Sequence, residues 1–157
     1  HDIGKVGIPD SVLLKPAKLT DEEFEIIKEH TRLGGEALEV IESQTEGQSF
    51  LTIGKEIAFY HHEKWDGTGY PHKLKGEDIP LSGRIIAIAD VFDALTTERP
   101  YKKAWSVEEA VKHIDENAGK HFDPQLVPLL HEVMPDLLDI KEQYEERPVE
   151  VQLDHTL

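Results

Sequence analysis

Two capping boxes set the grammar of this chain. In Thr20-Asp21-Glu22-Glu23 and Ser106-Val107-Glu108-Glu109, a hydroxyl can accept from the backbone N–H three residues on. The glutamate there can reach back to the first residue's N–H, a reciprocal pairing that belongs to helix N-termini. Leu19 and Phe24 flank the first box as a hydrophobic staple would. The helix it starts carries Phe24, Ile27 and Thr31 beside Ile26, His30 and Leu33, a 3.6-type spacing that puts His30 at the edge of a core. A second helix is predicted over Leu51 to about His62, with Gly54, Ala58 and His61 along one stripe. A third is predicted from about Ser82 to Thr97, apolar at Ile85, Ile86, Ile88, Ala89, Phe92 and Leu95.

The helix begun at Ser106 should stop near Gly119, and Asp123-Pro124 reads as N-cap and first residue of a last helix ending before Pro135. Ile8 to Pro16, the polar stretch Ser43 to Ser49 and the glycine-rich Trp65-Asp66-Gly67-Thr68-Gly69-Tyr70-Pro71 read as loops. Strand patterns are scarce. The fold class expected is all-α, with one core over residues 1–138 and an acidic helix end and fraying tail over 139–157.

A length of 157 residues fits one domain. Seventeen basic against 32 acidic side chains give a net charge of −15, which argues against DNA or RNA as a partner, because phosphates need a basic face. No apolar stretch approaches the roughly 18 residues of a membrane span. The absence of Cys excludes a disulfide scaffold, a thiol nucleophile and a thiolate metal site, and fits a reducing compartment. Against that background nine His stand out, since imidazole with carboxylate is the natural ligand set of first-row divalent metals.

His1-Asp2 is the densest such pair. Its carboxylate could bridge two ions while the imidazole takes one. The chain opens on this motif rather than on Met, and it reads as a piece of a longer polypeptide. His61 and His62, as helix neighbours, point about 100° apart. Both reach one ion cluster only at a helix end or across two ions. Asp90 and Asp93 share a face with Ile86 and Ala89, and a carboxylate in such a stripe must be paired, hydrogen-bonded or metal-bound. Each position taken singly has a plainer reading: Lys5 as a solvated amine, His30 as a hydrogen-bonded core-edge residue, one of His61 and His62 exposed, Asp90 in a structural ion pair. Six candidate ligands on separate helices, His1, Asp2, His30, His61, His62 and Asp90, shift the weighing, because bundles gather such side chains around paired metals. Arg99 and Lys102 either decorate a helix exit or bind phosphate, the Arg bidentately and the Lys as a point charge. His72, His113, His131 and His155 read as surface residues.

The ordered set His1-Asp2-Ile3-Gly4-Lys5, Lys15-Pro16-Ala17-Lys18-Leu19-Thr20, His61-His62-Glu63-Lys64-Trp65-Asp66-Gly67-Thr68-Gly69-Tyr70-Pro71, Ile88-Ala89-Asp90-Val91-Phe92-Asp93-Ala94-Leu95-Thr96, Arg99-Pro100-Tyr101-Lys102 and His121-Phe122-Asp123-Pro124 resembles the HD-GYP family of bacterial cyclic di-GMP phosphodiesterases. The resemblance runs from His1 to about Val127. It implies an HD-superfamily helical bundle, here incomplete at its N-terminus, and a cytoplasmic bacterial enzyme. It further implies two divalent ions, iron or manganese, with a third only where upstream ligands are present. His1, Asp2, His30, His61, His62 and Asp90 look like the metal ligands, with Asp2 bridging. Lys5 looks like the lysine that protonates the leaving oxygen or steadies the phosphate, and Asp93 like the group that orients Lys5 or a water at the metals. Gly69, Tyr70, Pro71, Arg99 and Lys102 look like substrate contacts. The implied reaction converts cyclic di-GMP to pGpG, with GMP as a further end point.

A non-catalytic reading competes with this one. In it the domain senses cyclic di-GMP, or docks GGDEF-type cyclase partners through Gly69-Tyr70-Pro71. The intact ligand set favours the enzyme. An incomplete bundle would expose apolar surface, through which a homo-oligomer could form.

Overall fold

The computed structural model describes residues 1–45, 49–98 and 103–145. Among them the chain forms six α-helices and no strand, bearing out the all-α expectation: α1 Asp10–Leu13, α2 Asp21–Ser43, α3 Ser49–Tyr60, α4 Leu81–Thr96, α5 Val107–Glu116 and α6 Val127–Glu145. Short 3-10 turns occupy Ile3–Gly7 and Gly76–Asp78. Two compact units are formed, His1–Val127 and Pro128–Leu157, and every described site residue lies in the first. No helix among the described residues is long and apolar enough to cross a membrane.

Both capping boxes form. Thr20 Oγ1 accepts from Glu23 N at 3.2 Å while Glu23 Oε2 accepts from Thr20 N at 2.8 Å. Ser106 and Glu109 repeat the exchange at 3.1 and 2.9 Å. With its N-terminus so fixed, α2 runs 23 residues and lies against the 3-10 turn Ile3–Gly7, α1 and α3; α3 packs on α4, and α4 on α5. The core between them holds Ile8, Val12, Ala58, Ile79, Ile88, Phe92, Ala110, Ile114 and Phe122. His30, expected at the core edge, is buried outright at 1% exposure.

Several boundaries differ from the sequence reading. The stretch expected as loop from Ile8 to Pro16 contains α1, a single turn whose Val12 is buried and holds it in place. The helix begun at Ser106 ends at Glu116 rather than near Gly119. Asn117 side-chain Nδ2 caps the His113 carbonyl at 2.8 Å, and Asn117 O accepts from Lys120, His121 and Phe122 N–H groups, so the chain turns there instead of winding on. Asp123-Pro124 does not open a helix. Asp123 Oδ1 accepts from Gln125 N at 2.8 Å in a turn, and α6 starts at Val127. That helix then runs through Pro135, because a proline removes one N–H and bends a helix without always ending it. Ile85, placed in the apolar stripe of α4, is 51% exposed.

One buried ion pair ties distant segments together. Arg84 Nη1 on α4 donates to Asp123 Oδ2 at 2.8 Å, where the carboxylate side chain is 1% exposed. The same turn accepts from the loop that follows α3: Trp65 N donates to His121 O at 3.0 Å and Asp66 N to Lys120 O at 2.8 Å.

Candidate metal centre

Four segments converge on one pocket. His30 comes from the middle of α2. His61 and His62 stand just past Tyr60, the last residue of α3. His1 and Asp2 precede the 3-10 turn, and Asp90 comes from α4. The position of His61 and His62 resolves the difficulty of two helix neighbours pointing apart. Off the helix end their rings tilt together, with centroids 4.1 Å apart. His61 N still reaches back to Ile57 O at 3.1 Å.

The protonation pattern is fixed from behind. His30 Nδ1 donates to Ile27 O at 2.6 Å, and His61 Nδ1 donates to Ile57 O at 2.9 Å. A carbonyl can only accept, so each neutral ring carries its proton on Nδ1 and presents a bare Nε2 lone pair. Those two Nε2 atoms face each other at 3.2 Å. Asp2 Oδ1 lies 3.5 Å from His30 Nε2 and 4.0 Å from His61 Nε2. Everything that converges there is an acceptor. Such a cluster repels itself unless a cation is shared, and backbone carbonyls that accept from the far nitrogen of an imidazole are a usual second layer around a metal-binding His. Ligand atoms of His30, His61 and His62 all lie within 4.8 Å of one another. The residues therefore fit a divalent ion.

Asp2 faces two ways. Its Oδ2 lies 3.5 Å from His1 Nε2 and accepts from Lys5 Nζ at 2.7 Å. His1 Nε2 in turn lies 3.5 Å from Asp90 Oδ1. The electrostatics favour neutral His61 and His62 and a charged Asp2. Burial, reinforced by the neighbouring His61 and His30, lowers the His62 pKa to about 3, and burial likewise lowers that of His61. Burial opposes ionisation of Asp2, yet the hydrogen bond and charge of Lys5, with His30 and His61, outweigh it and hold the carboxyl below its usual range.

The glycine-rich loop closes one side. The Tyr70 ring stacks on His62 with centroids 4.8 Å apart and planes 27° apart, and Tyr70 N donates to His62 O at 3.2 Å. A Cβ on Gly69 would lie 2.4 Å from Lys64 N and 2.6 Å from His62 O, so only glycine lets the loop fold back this closely. Pro71 follows through a cis peptide bond. Burial, then the charges of Asp2 and Asp90, push the Tyr70 phenol well above its usual pKa.

Asp93, one turn beyond Asp90, is exposed, and its Oδ1 accepts from Thr97 Oγ1 at 3.1 Å, while Lys5 is bonded to Asp2. Arg99 and Lys102 lie outside the described residues. The sequence reading missed Glu63. Its carboxylate is 2% exposed and accepts from His72 N at 2.6 Å and Leu74 N at 3.1 Å, clamping the segment after Tyr70. A Glu directly after His-His was the available signal. Phe24, named in the sequence for its place in the capping motif, presents its ring edge-to-face to Tyr70 at 6.5 Å.

Residues 1–126 match the family model described as HD domain. Over 127 residues the chain is 62% identical to a "Cyclic di-GMP phosphodiesterase" of Vibrio cholerae, covering 81% of this chain and 26% of that protein. It is 47% identical over 140 residues to the "Cyclic di-GMP phosphodiesterase" of Thermotoga maritima, covering 89% of this chain and 37% of the relative. It is 48% identical over 141 residues to "3'3'-cGAMP-specific phosphodiesterase 2" of Vibrio cholerae, covering 90% of this chain and 26% of the relative. The chain thus spans between 26% and 37% of the length of these three proteins. A solved cyclic GMP-AMP phosphodiesterase of V. cholerae shares the fold, with TM-score 0.56 at 23% identity, over 92% of this chain and 38% of that one.

Proposed function

We propose, from the premise that the chain belongs to the HD domain family and to its HD-GYP branch, that this centre hydrolyses cyclic di-GMP to linear pGpG, with GMP as a further end point. The observation that carries the reading is the convergence of bare His30 and His61 Nε2 atoms, 3.2 Å apart, on Asp2. The names of the relatives support the substrate class.

The residues proposed to hold two divalent ions, iron or manganese, are His1, Asp2, His30, His61, His62 and Asp90. Asp2 is the proposed bridge, because Oδ1 faces His30 and His61 while Oδ2 faces His1. Divalent ions here would polarise a phosphoryl oxygen, activate water and offset the repulsion between a chain of charge −15 and a dianionic substrate.

The chain's own side chains supply the rest. The role proposed for Lys5, whose Nζ donates to Asp2 Oδ2 at 2.7 Å, is to give a proton to the leaving ribose oxygen. Tyr70 keeps its phenolic proton and is a hydrogen-bond donor to the substrate, with Gly69 and Pro71 fixing its place. Arg99 and Lys102 are proposed phosphate contacts on their sequence alone. With Lys5 bonded to Asp2, the role proposed for Asp93 is to orient water. Docking of GGDEF-type partners at the Gly69-Tyr70-Pro71 loop is a further proposal, as is self-association through exposed apolar side chains such as Val6 and Leu14, 92% and 72% exposed.

The test strips the protein with a chelator, restores Mn(II) or Fe(II) anaerobically, and resolves products from cyclic di-GMP and 3'3'-cGAMP by chromatography. The reading expects pGpG only with metal restored and faster turnover of cyclic di-GMP. Metal-independent conversion, or none with metal bound, would overturn it.

A further inference from the structure

Beside the centre, the first turns of α2 set a half-exposed aromatic ring next to a charged pair. Phe24 is 46% exposed, although its ring meets Tyr70 edge-to-face at 6.5 Å. The Lys28 ammonium stands 5.0 Å from the Phe24 ring centroid and 5.5 Å from that of Tyr70. It also pairs with Glu25 Oε1 at 2.5 Å, the two side chains being 25% and 70% exposed. A surface ion pair of this kind contributes little stability, and a half-exposed phenyl ring leaves apolar area in water. Tyr70 joins the group to the pocket, since its ring stacks on His62.

We propose that Phe24, Glu25 and Lys28 form a guanine-binding site beside the metal centre. The proposal deepens the cyclic di-GMP reading and rests on it. An exposed aromatic face offers stacking to any purine. The charged pair adds a choice between purines. The pairing edge of guanine presents the O6 acceptor beside the N1–H and N2–H donors. An ammonium donates to O6, and a carboxylate accepts from N1–H and N2–H. Adenine presents an amino donor and a bare N1 at the corresponding places, so both contacts would meet the wrong polarity. Residues three apart on a helix are surface neighbours, which lets Glu25 and Lys28 span one base edge while Phe24 takes a ring face. With a phosphate at the metals, the attached base would extend over Tyr70 toward Phe24.

Two measurements test this. Titration calorimetry compares GMP with AMP on the metal-loaded protein, and kcat/KM compares cyclic di-GMP with cyclic di-AMP, for the wild type, Lys28→Met, Glu25→Gln, Lys28→Arg and Phe24→Leu. The wild type should prefer GMP by roughly tenfold or more. Lys28→Met and Glu25→Gln should abolish most of that preference, and the loss in turnover should appear in KM for the guanine substrate. Lys28→Arg should retain the preference, and Phe24→Leu should weaken both nucleotides alike. Equal weakening of GMP and AMP by Lys28→Met and Glu25→Gln, or an intact preference in both, would overturn the site. Selective GMP binding without hydrolysis in the wild type would refute the hydrolytic reading and leave the guanine site standing. Hydrolysis with an unaltered preference in the variants would do the reverse.

Discussion

A Cβ placed on Gly4 would lie 1.9 Å from the carbonyl oxygen of His30 and 2.5 Å from the backbone nitrogen of Gly34. The glycine therefore lets the turn after His1-Asp2 lie directly on α2. That contact brings Asp2 Oδ1 within 3.5 Å of His30 Nε2. The spacing of the His-Asp-x-Gly motif thus has a mechanical meaning: two residues supply candidate ligands and the glycine lets them lie against a third, His30.

Gly4→Ala accordingly should lift the turn from α2 and separate Asp2 from His30. Overpacking of this kind costs about 2 kcal/mol, and elemental analysis of the purified variant should find less bound metal than in the wild type. A Gly4→Ala protein with wild-type metal content and unchanged urea midpoint would show that the turn does not position the ligands.

Glu63 is the buried acceptor for two backbone N–H groups, those of His72 and Leu74. Glu63→Leu leaves both donors without their partner, and each such loss costs on the order of 1–3 kcal/mol. The expected result is a clear drop in stability by urea unfolding, with KM raised through displacement of Tyr70. Glu63→Gln, which keeps one acceptor oxygen, should fall between wild type and Leu. Equal stability of all three proteins would remove Glu63 from the account.

His121 makes stability depend on pH. Burial, then the charges of Lys64 and His113, lower its pKa to about 4, with Asp66 and Asp90 opposing. Its ring lies flat on Phe122, centroids 4.3 Å apart. The folded protein thus keeps this imidazole neutral while the unfolded chain protonates it near about pH 6.5. Below that value the unfolded state binds more protons, and stability falls as pH drops toward about 4. Urea midpoints of metal-free protein should decline between about pH 7 and about pH 5. The decline should be shallower in His121→Gln, with the remaining slope owed to the other buried imidazoles whose pKa is lowered, His61 and His62. Superimposable profiles for the two proteins would contradict this.

The helices were legible in sequence because their signals are local. Thr20 with Glu23, and Ser106 with Glu109, specify their own turn, and the periodicity of α2 and α4 needs no distant partner. Pro135 misled, because a proline is a stop signal only where nothing else favours continuing the helix. The six candidate ligands could be named from type and pattern. Their geometry could not, since it depends on Gly4 meeting α2 and on α3 ending one residue before His61. Glu63 and Phe24 were hidden for the same reason: each acts on a segment that only the tertiary fold brings near, His72 and Leu74 in one case and Tyr70 in the other.

The central claim is that Asp2 joins two halves of one metal centre, and it is tested most directly by Asp2→Ala. Wild type and variant would be loaded with Mn(II) or Fe(II) under anaerobic conditions, assayed for bound metal and given cyclic di-GMP in parallel. The account predicts that the variant loses most of its metal and all detectable pGpG formation while keeping its helical circular dichroism. An Asp2→Ala protein that binds metal like the wild type and turns over cyclic di-GMP at an unchanged rate would contradict it.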